Sequence, residues 1–165
     1  MGMDVYGKKP TSTDGEYFRN NVWWWHPLWD YCCRIQDDLS KRVPYGHENS
    51  GDGLGSVASR KLGLKLQETI DNGKAQEYVD LYYKNLEALP DQPCFCIKSS
   101  LFEIFSFSED ISLSKTSESK TPNPECHTCK GSGVQPNWNK NYHIDVDNIK
   151  SFSNFLIACG GFQIC

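Results

Sequence analysis

Two cysteines separated by two residues and followed by spaced glycines, Cys126-His127-Thr128-Cys129-Lys130-Gly131-Ser132-Gly133, constrain this chain more than any other feature. Two thiolates at that spacing converge on one tetrahedral ion, and the glycines let backbone amides turn toward the sulfurs. A half-site of this kind needs a second pair of ligands. Cys94 and Cys96 supply the obvious pair, across an intervening segment whose closure costs little because loop entropy rises slowly with length. Together Cys94, Cys96, Cys126 and Cys129 predict a structural Zn2+ site, in which four protein ligands leave no position open for a substrate water. A competing reading stands beside it. Cys94-Phe95-Cys96 is a CxC pair with no glycine after it, and its thiols then count as ordinary partly buried side chains. His127 is an alternative ligand. Cys32, Cys33, Cys159 and Cys165 lack metal spacing and read as core thiols.

The metal reading gains from the rest of the composition. No apolar run approaches the roughly 20 residues that span a bilayer, and the start lacks the charged-then-apolar layout of an export signal. Nor does Met1-Gly2 complete a myristoylation motif, since Tyr6 stands where Ser or Thr is required. The expected setting is therefore cytoplasmic, where eight cysteines point to metal or free thiols rather than bridges. A mean hydropathy of −0.58 fits no membrane protein. A net charge of −4 and 17 scattered basic residues argue against a face for duplex nucleic acid. At 165 residues one domain, 1–165, is expected, with a Cys-rich segment at 94–133 that contains a mobile Ser-rich loop at 106–125.

Periodicity predicts an α+β fold with a helical hairpin, a C-terminal helix and a few short strands. Met3 to Gly7 alternates like a strand, and Pro27 suits the first position of a helix running to about Gln36, with Leu28, Tyr31, Cys32 and Ile35 buried. The turn-rich stretch from Pro44 to Gly55 leads to a helix capped by Ser56. Its apolar stripe is Ala58, Leu62, Leu66 and Ile70. Asn72-Gly73 stops it, and Tyr78, Val79, Tyr82, Tyr83 and Leu86 form a second helix that ends at Pro90, so 56–89 reads as the hairpin. Leu101 to Phe107 alternates like a strand. Asp145 caps a last helix lined by Ile149, Phe152, Phe155, Leu156 and Cys159, and Gly160-Gly161 precedes a short C-terminal strand.

Four of the five tryptophans crowd into the block from Glu16 to Ile35, beside Arg19, Asn20 and Asn21. Stacking faces next to a guanidinium and amides suit a nucleobase or another flat polar ligand, whereas large aromatics more commonly build a core. Candidate ligand-binding residues are Arg19, Asn21 and Trp24, joined by Asn49 and Asp52 of the glycine-rich loop. That loop has no Gly-Lys-Ser/Thr end, and Asp52 carries the wrong charge for a phosphate cradle. No nucleophile with a base, carboxylate pair or metal triad emerges. His26, His47, His127 and His143 stand as single residues.

The opening Met1-Gly2-Met3-Asp4-Val5-Tyr6-Gly7, the block Gly15 to Trp25 with Pro27-Leu28-Trp29, and the closing Gly160-Gly161-Phe162-Gln163-Ile164-Cys165 resemble an uncharacterised bacterial and bacteriophage protein family. The likeness runs on through the Asn49 to Leu54 loop, the hairpin, Cys126 to Gly133 and the Asp147 to Leu156 helix. Members of that family carry two CxxCxGxG knuckles, similar to the cysteine-rich region of J-domain co-chaperones. Here only the second knuckle has the full pattern. The resemblance implies a phage-related origin and a cytoplasmic setting, and no activity. The resulting expectation is a zinc-stabilised binding module contacting a host or viral protein. The alternatives are a nucleotide-like small-molecule binder built on the Trp-rich block, and a hydrolase whose motif is not evident.

Overall fold

Met3 and Val5 alternate with Asp4 and Tyr6 along the first strand, and the alternation sorts them onto two faces of a sheet. The computed structural model describes residues 2–98 and 122–165. Within these the chain divides into two compact units, Met1–Glu87 with Asn139–Cys165, and Ala88–Trp138. The strand expected at 101–107 and most of the Ser-rich loop expected at 106–125 lie outside the described residues.

In the first unit, β1 (Gly2–Gly7) pairs antiparallel with β2 (Tyr17–Asn21) and with β6 (Gly161–Ile164), and β6 pairs with β3 (Gly53–Gly55). The order is β2-β1-β6-β3. One face, with Met3, Val5, Leu54, Phe162 and Ile164, is buried, and Phe18 packs against that core. The opposite face carries Asp4, Tyr6, Tyr17 and Arg19. Where turn chemistry alone was expected, Gly53–Gly55 forms β3, because β6 offers it a partner edge.

Helix α1 (Val22–Ile35) starts a full turn before Pro27. Asn21 caps it, its side-chain oxygen accepting from the Trp24 N–H at 3.2 Å. Proline interrupts the ladder by removing the donor that the carbonyl four residues back would use. That carbonyl belongs to Trp23, and it accepts from the His143 N–H at 2.9 Å instead, so the helix tolerates Pro27 inside it. Trp25, Leu28, Trp29, Tyr31 and Cys32 are buried, while Ile35 is only half-buried. The short helix α2 (Leu39–Arg42) follows.

The hairpin expected at 56–89 forms as α3 (Ser56–Asp71) and α4 (Lys74–Glu87). Gly55, not Ser56, holds the cap position of α3. Asn72 closes α3, and Gly73 takes the left-handed turn at φ +79°. The buried stripe of α3 is rotated from the expected one. Ser59, Leu62, Gly63, Leu66 and Thr69 face inward, because α6 (Val146–Ala158) lies against this side.

Gly63 is what allows α6 so close. A Cβ there would stand 2.9 Å from Ile157 Cγ1 and 3.0 Å from both Leu156 Cβ and the Ser153 carbonyl oxygen. The Ser153 hydroxyl donates across the gap to the Gly63 carbonyl at 2.8 Å. Asp145 caps α6 as expected, accepting from the Asn148 N–H at 2.6 Å, and the whole stripe Ile149, Phe152, Phe155, Leu156 and Cys159 is buried. Of the presumed core thiols, Cys32 and Cys159 are buried and Cys33 is half-buried, but Cys165 is exposed. It sits at the end of β6, with only its backbone N–H engaged, on the Asp4 carbonyl.

In the second unit, β4 (Gln92–Pro93) pairs antiparallel with β5 (Val134–Gln135), and α5 (Phe95–Lys98) follows β4. Among the described residues no helix is long and apolar enough to cross a membrane. Overpacking a tight helix crossing costs about 1–3 kcal/mol. Gly63→Val is therefore expected to lower the unfolding free energy by about 2 kcal/mol, read from the midpoint of urea denaturation.

Candidate metal centre

The β4–β5 pairing sets two cysteine segments side by side. Cys94 leaves β4 and is locked to the other segment by its N–H, which donates to the Gly133 carbonyl at 2.8 Å. Its own carbonyl accepts from Ile97 at 3.0 Å, so the chain turns at once into α5, whose second residue is Cys96. In extended chain two cysteines at CxC spacing share a face but stand roughly 7 Å apart along the strand, and the strand-to-helix corner shortens that separation so that both sulfurs join one cluster.

The other half is the knuckle predicted at Cys126 to Gly133. The Lys130 N–H donates to the Cys126 carbonyl at 2.7 Å and the Ser132 N–H to the Cys129 carbonyl at 2.9 Å. Lys130, Gly131 and Gly133 take positive φ of 48°, 84° and 77°. Gly133 is required on two counts. Its left-handed backbone strains any L side chain, and a Cβ would stand 2.6 Å from Pro122 Cγ.

The four sulfurs meet. Those of Cys94, Cys96, Cys126 and Cys129 all lie within 4.8 Å of one another. Cys94 and Cys126 are 3.7 Å apart, and Cys96 and Cys129 are 3.5 Å apart. Both separations exceed a disulfide bond, which is about 2.05 Å. They match the edge of a sulfur tetrahedron, about 3.8 Å for a metal–sulfur length of about 2.3 Å. The geometry therefore fits a four-thiolate metal site, and His127, which is exposed, does not belong to the cluster.

Backbone amides already favour thiolate in the knuckle. The Cys129 and Thr128 N–H groups hold the Cys126 thiol down at about 6. Desolvation opposes the Cys129 thiolate, yet the amides of Gly133 and Gly131 and the Cys96 thiol bring it below the ordinary value. The upstream pair behaves oppositely. The Asn123 amide favours the Cys96 thiolate, but desolvation and the neighbouring sulfurs push that thiol up to about 12. At Cys94 the Cys96 amide is likewise outweighed, and the thiol is raised. Four sulfurs this close cannot all ionise without a cation among them.

The five candidate ligand residues do not form one site. Arg19 lies on the open sheet face with its side chain 65% exposed, ion-paired to Asp4 at 3.5 Å. Tyr17 donates to the same carboxylate. Asn49 is spent on the loop, donating to the Gly2 carbonyl at 3.0 Å. Asp52 likewise accepts from the Tyr45 and Gly53 N–H groups at 3.0 and 2.9 Å. Only Asn21 and Trp24 stay together. They line a concavity of about 470 Å³ with Trp23, Asn141 and His143, and another of about 430 Å³ with Asn20, Asp145, Asp147, Asn148 and Ser151. The Trp-rich block thus splits. Trp25 and Trp29 stack in the core at 5.5 Å, while Trp24 is half-buried and Trp23 is exposed.

Two histidines read as single residues are partners in space. His26 Nδ1 and His47 Nδ1 are 2.6 Å apart, and His47 Nε2 lies 3.1 Å from the Asp30 carboxylate. Asp30 therefore fixes the Nε2–H tautomer of His47, whose Nδ1 accepts from His26. No spacing pattern could announce this pair, because it joins a helix to a loop 21 residues away.

Set against known proteins, the chain matches no family model, no curated protein and no solved structure. What it defines is an α+β protein with a four-cysteine cluster of metal-binding geometry.

Burial, reinforced by His47, lowers the His26 pKa from 6.5, so the fold holds it neutral. A group whose charged form is disfavoured in the native state contributes fully above its unfolded pKa and destabilises as pH falls below it. Stability is therefore expected to drop between about pH 7.5 and 5.5, and to drop less in His26→Gln. Urea midpoints at the two values check this, and equal drops would refute it.

Proposed function

We propose that the chain is a zinc-stapled, non-catalytic binding module, phage-related and cytoplasmic, which contacts a host or viral protein. One observation carries the reading. Among the described residues of the Ala88–Trp138 unit, the only buried apolar side chains are Cys94 and Cys129, two of the four clustered cysteines. With no further apolar core among its described residues, this part of the unit is one that a metal or disulfides would hold, and these sulfurs stand too far apart for disulfides. Four thiolates on one tetrahedral ion suit zinc, with iron as the competing occupant, and such a closed shell supplies folding energy rather than a reactive water.

The same unit offers a surface for recognition. Phe95 and Trp138 are 54% and 48% exposed and meet edge to face at 5.3 Å, and Val134 is 48% exposed. Exposed aromatics of this kind are typical anchors of protein interfaces. A second reading, nucleobase-like ligand binding, is favoured by the 470 Å³ concavity, where Trp23, Trp24 and His143 offer ring faces and Asn21 and Asn141 offer amides. Asp145 and Asp147 beside the neighbouring concavity disfavour a phosphate there, which narrows the ligand to an uncharged base or nucleoside.

Elemental analysis of the purified chain is expected to find about one zinc, absent from Cys126→Ser and Cys96→Ser and retained in Cys165→Ser. Chelation should broaden or scatter the amide NMR signals of 88–98 and 122–138 while those of the sheet and of α3 and α6 persist. Zinc kept in Cys96→Ser would break the four-sulfur assignment. For the recognition surface, a partner retained from host lysate by the parent chain and lost by Trp138→Ala is the expected result. For the second reading, adenosine should raise the melting temperature of the parent and not of Trp24→Ala.

A further inference from the structure

His26 and Asp30 stand four residues apart on α1 and share a face of it, and His47 reaches that face from the loop after α2. The His47 ring touches both. Its Nε2 lies 3.1 Å from the Asp30 carboxylate and its Nδ1 lies 2.6 Å from His26 Nδ1. The two imidazoles are 25° from coplanar with centroids 4.8 Å apart, so the Nδ1 atoms meet edge to edge. Two ring nitrogens stand this close only with a proton or another cation between their lone pairs.

The loop is fixed around this contact. The Trp25 indole N–H donates to the Gly46 carbonyl at 2.8 Å, and the Glu48 N–H donates to the Tyr45 carbonyl at 2.9 Å, so the chain is tied down on both sides of His47. Gly46 lies so near Trp29 that a Cβ would stand 2.1 Å from the indole Nε1. The core tryptophans thus set the place of His47, and no ligand is needed to order it. The pair is nevertheless open to solvent: the His47 side chain is 41% exposed, that of Asp30 64%, and His26 is half-buried.

A metal-binding histidine commonly donates its other ring N–H to a carboxylate, which fixes the tautomer and strengthens the ligating nitrogen. His47 already has this arrangement, with its Nε2–H on Asp30 and its Nδ1 lone pair turned to His26. Burial and the neighbouring His47 lower the His26 pKa, so this ring is neutral as well. Its Nδ1 proton can pass through water to its own Nε2 with no net proton released, and both Nδ1 lone pairs are then free. Two imidazoles at right angles on an ion, with metal–nitrogen lengths of about 2.0–2.1 Å, have their nitrogens about 2.9 Å apart, so the pair must open by about 0.3 Å and turn off its common line.

We propose that His26 Nδ1 and His47 Nδ1 form a second metal site, which takes one divalent transition ion of the Zn2+ or Ni2+ kind in place of the shared proton. Asp30 positions His47 from outside the coordination shell, and water fills the remaining positions. Imidazole nitrogen suits these ions and does not suit Mg2+ or Ca2+. Both ligands belong to the first unit and neither is a cysteine, so the site stands whether or not the four-sulfur cluster is filled.

The test adds Ni2+ to the full chain, its cysteine cluster already loaded with zinc, and follows the amide NMR signals. Paramagnetic broadening confined to residues around 26–30, 45–48 and 142 is expected, saturating with a Kd between about 1 and 100 μM. A second equivalent of Zn2+ should instead shift the Nδ1 15N signals of both histidines without broadening them. His26→Gln and His47→Gln should each weaken binding at least tenfold, and Asp30→Asn by about tenfold although it never touches the ion. Cys165→Ser should bind as the parent does, and unchanged signals from α3 and α6 report that each variant is folded. The site is overturned if no saturable binding occurs below about 1 mM, or if the broadening centres on Cys165, the N-terminal amine or the 126–133 knuckle. Parent affinity in folded His47→Gln or Asp30→Asn overturns it equally.

Discussion

The antiparallel pairing of β1 with β6 is the constraint on which the first unit rests. It ties Val5, Tyr6 and Gly7 to Ile164, Gln163 and Phe162, and so places α6 beneath the sheet. With α6 there, α3 must come close enough for Ser153 to reach the Gly63 carbonyl, which only a residue without a side chain allows. The face of α3 follows from that contact rather than from its own periodicity. Leu62 and Leu66 are inside on either register, but Ser59 and Thr69 are buried and Ala58 and Ile70 stand at the margin. Their hydroxyls make burial tolerable: Ser59 donates to the Gly55 and Ser56 carbonyls and Thr69 to that of Leu66, so neither is left unpaired.

The second unit answers the same problem by different means. Its described residues add nothing to the main apolar cluster, and the regular structure among them is two residues of strand on each side and one turn of helix. Hydrophobic burial scales with size, and these described residues bury little apolar surface to offset the entropy of ordering them. What the described residues bring together instead is four sulfurs, in a geometry that fits a metal ion. The knuckle amides hold the Cys126 thiol down at about 6 and so favour thiolate on one side of the cluster, while the Cys94 and Cys96 thiols on the other side are raised.

What could be read from the sequence and what could not divides by range of interaction. The α6 cap at Asp145, its five-residue stripe, the Asn72-Gly73 stop and the Cys126 knuckle are local signals, and the structure reproduces each. The start of α1 was not legible, because the group that tolerates Pro27 is the backbone N–H of His143, distant in sequence. The grouping of Arg19, Asn49 and Asp52 with Trp24 failed for a related reason. Each of these polar side chains is taken up by a neighbouring group, Asp4, the Gly2 carbonyl, or the Tyr45 and Gly53 amides, which composition cannot reveal. Metal spacing was legible in the CxxC half and ambiguous in the CxC half. The ambiguity is resolved by the strand-to-helix corner at Cys94, a feature of backbone direction rather than of residue choice.

The early start of α1 decides where chemistry can sit on this fold. Had the helix begun at Pro27, Trp23 and Trp24 would precede it as extended chain. Instead they ride its first turn, where Trp23 meets Tyr142 edge-on at 4.9 Å and Trp24 meets the His143 ring at 5.5 Å. The residues on one turn of a helix point in all directions, so four tryptophans in a helix cannot all be core. Trp25 and Trp29, four apart, share the inward face, and the two others are forced to the surface by the same 3.6-residue period. At the far end of the helix Tyr31, Arg34 and Ile35 are directed by that period toward α4, where the Tyr31 ring stands 4.5 Å from that of Tyr78 and the Arg34 guanidinium lies over the Tyr78 ring at 5.5 Å. Both surface features of α1 thus follow from one long-range contact, the capture of the Trp23 carbonyl by the His143 N–H, which lets fourteen residues run as a single helix.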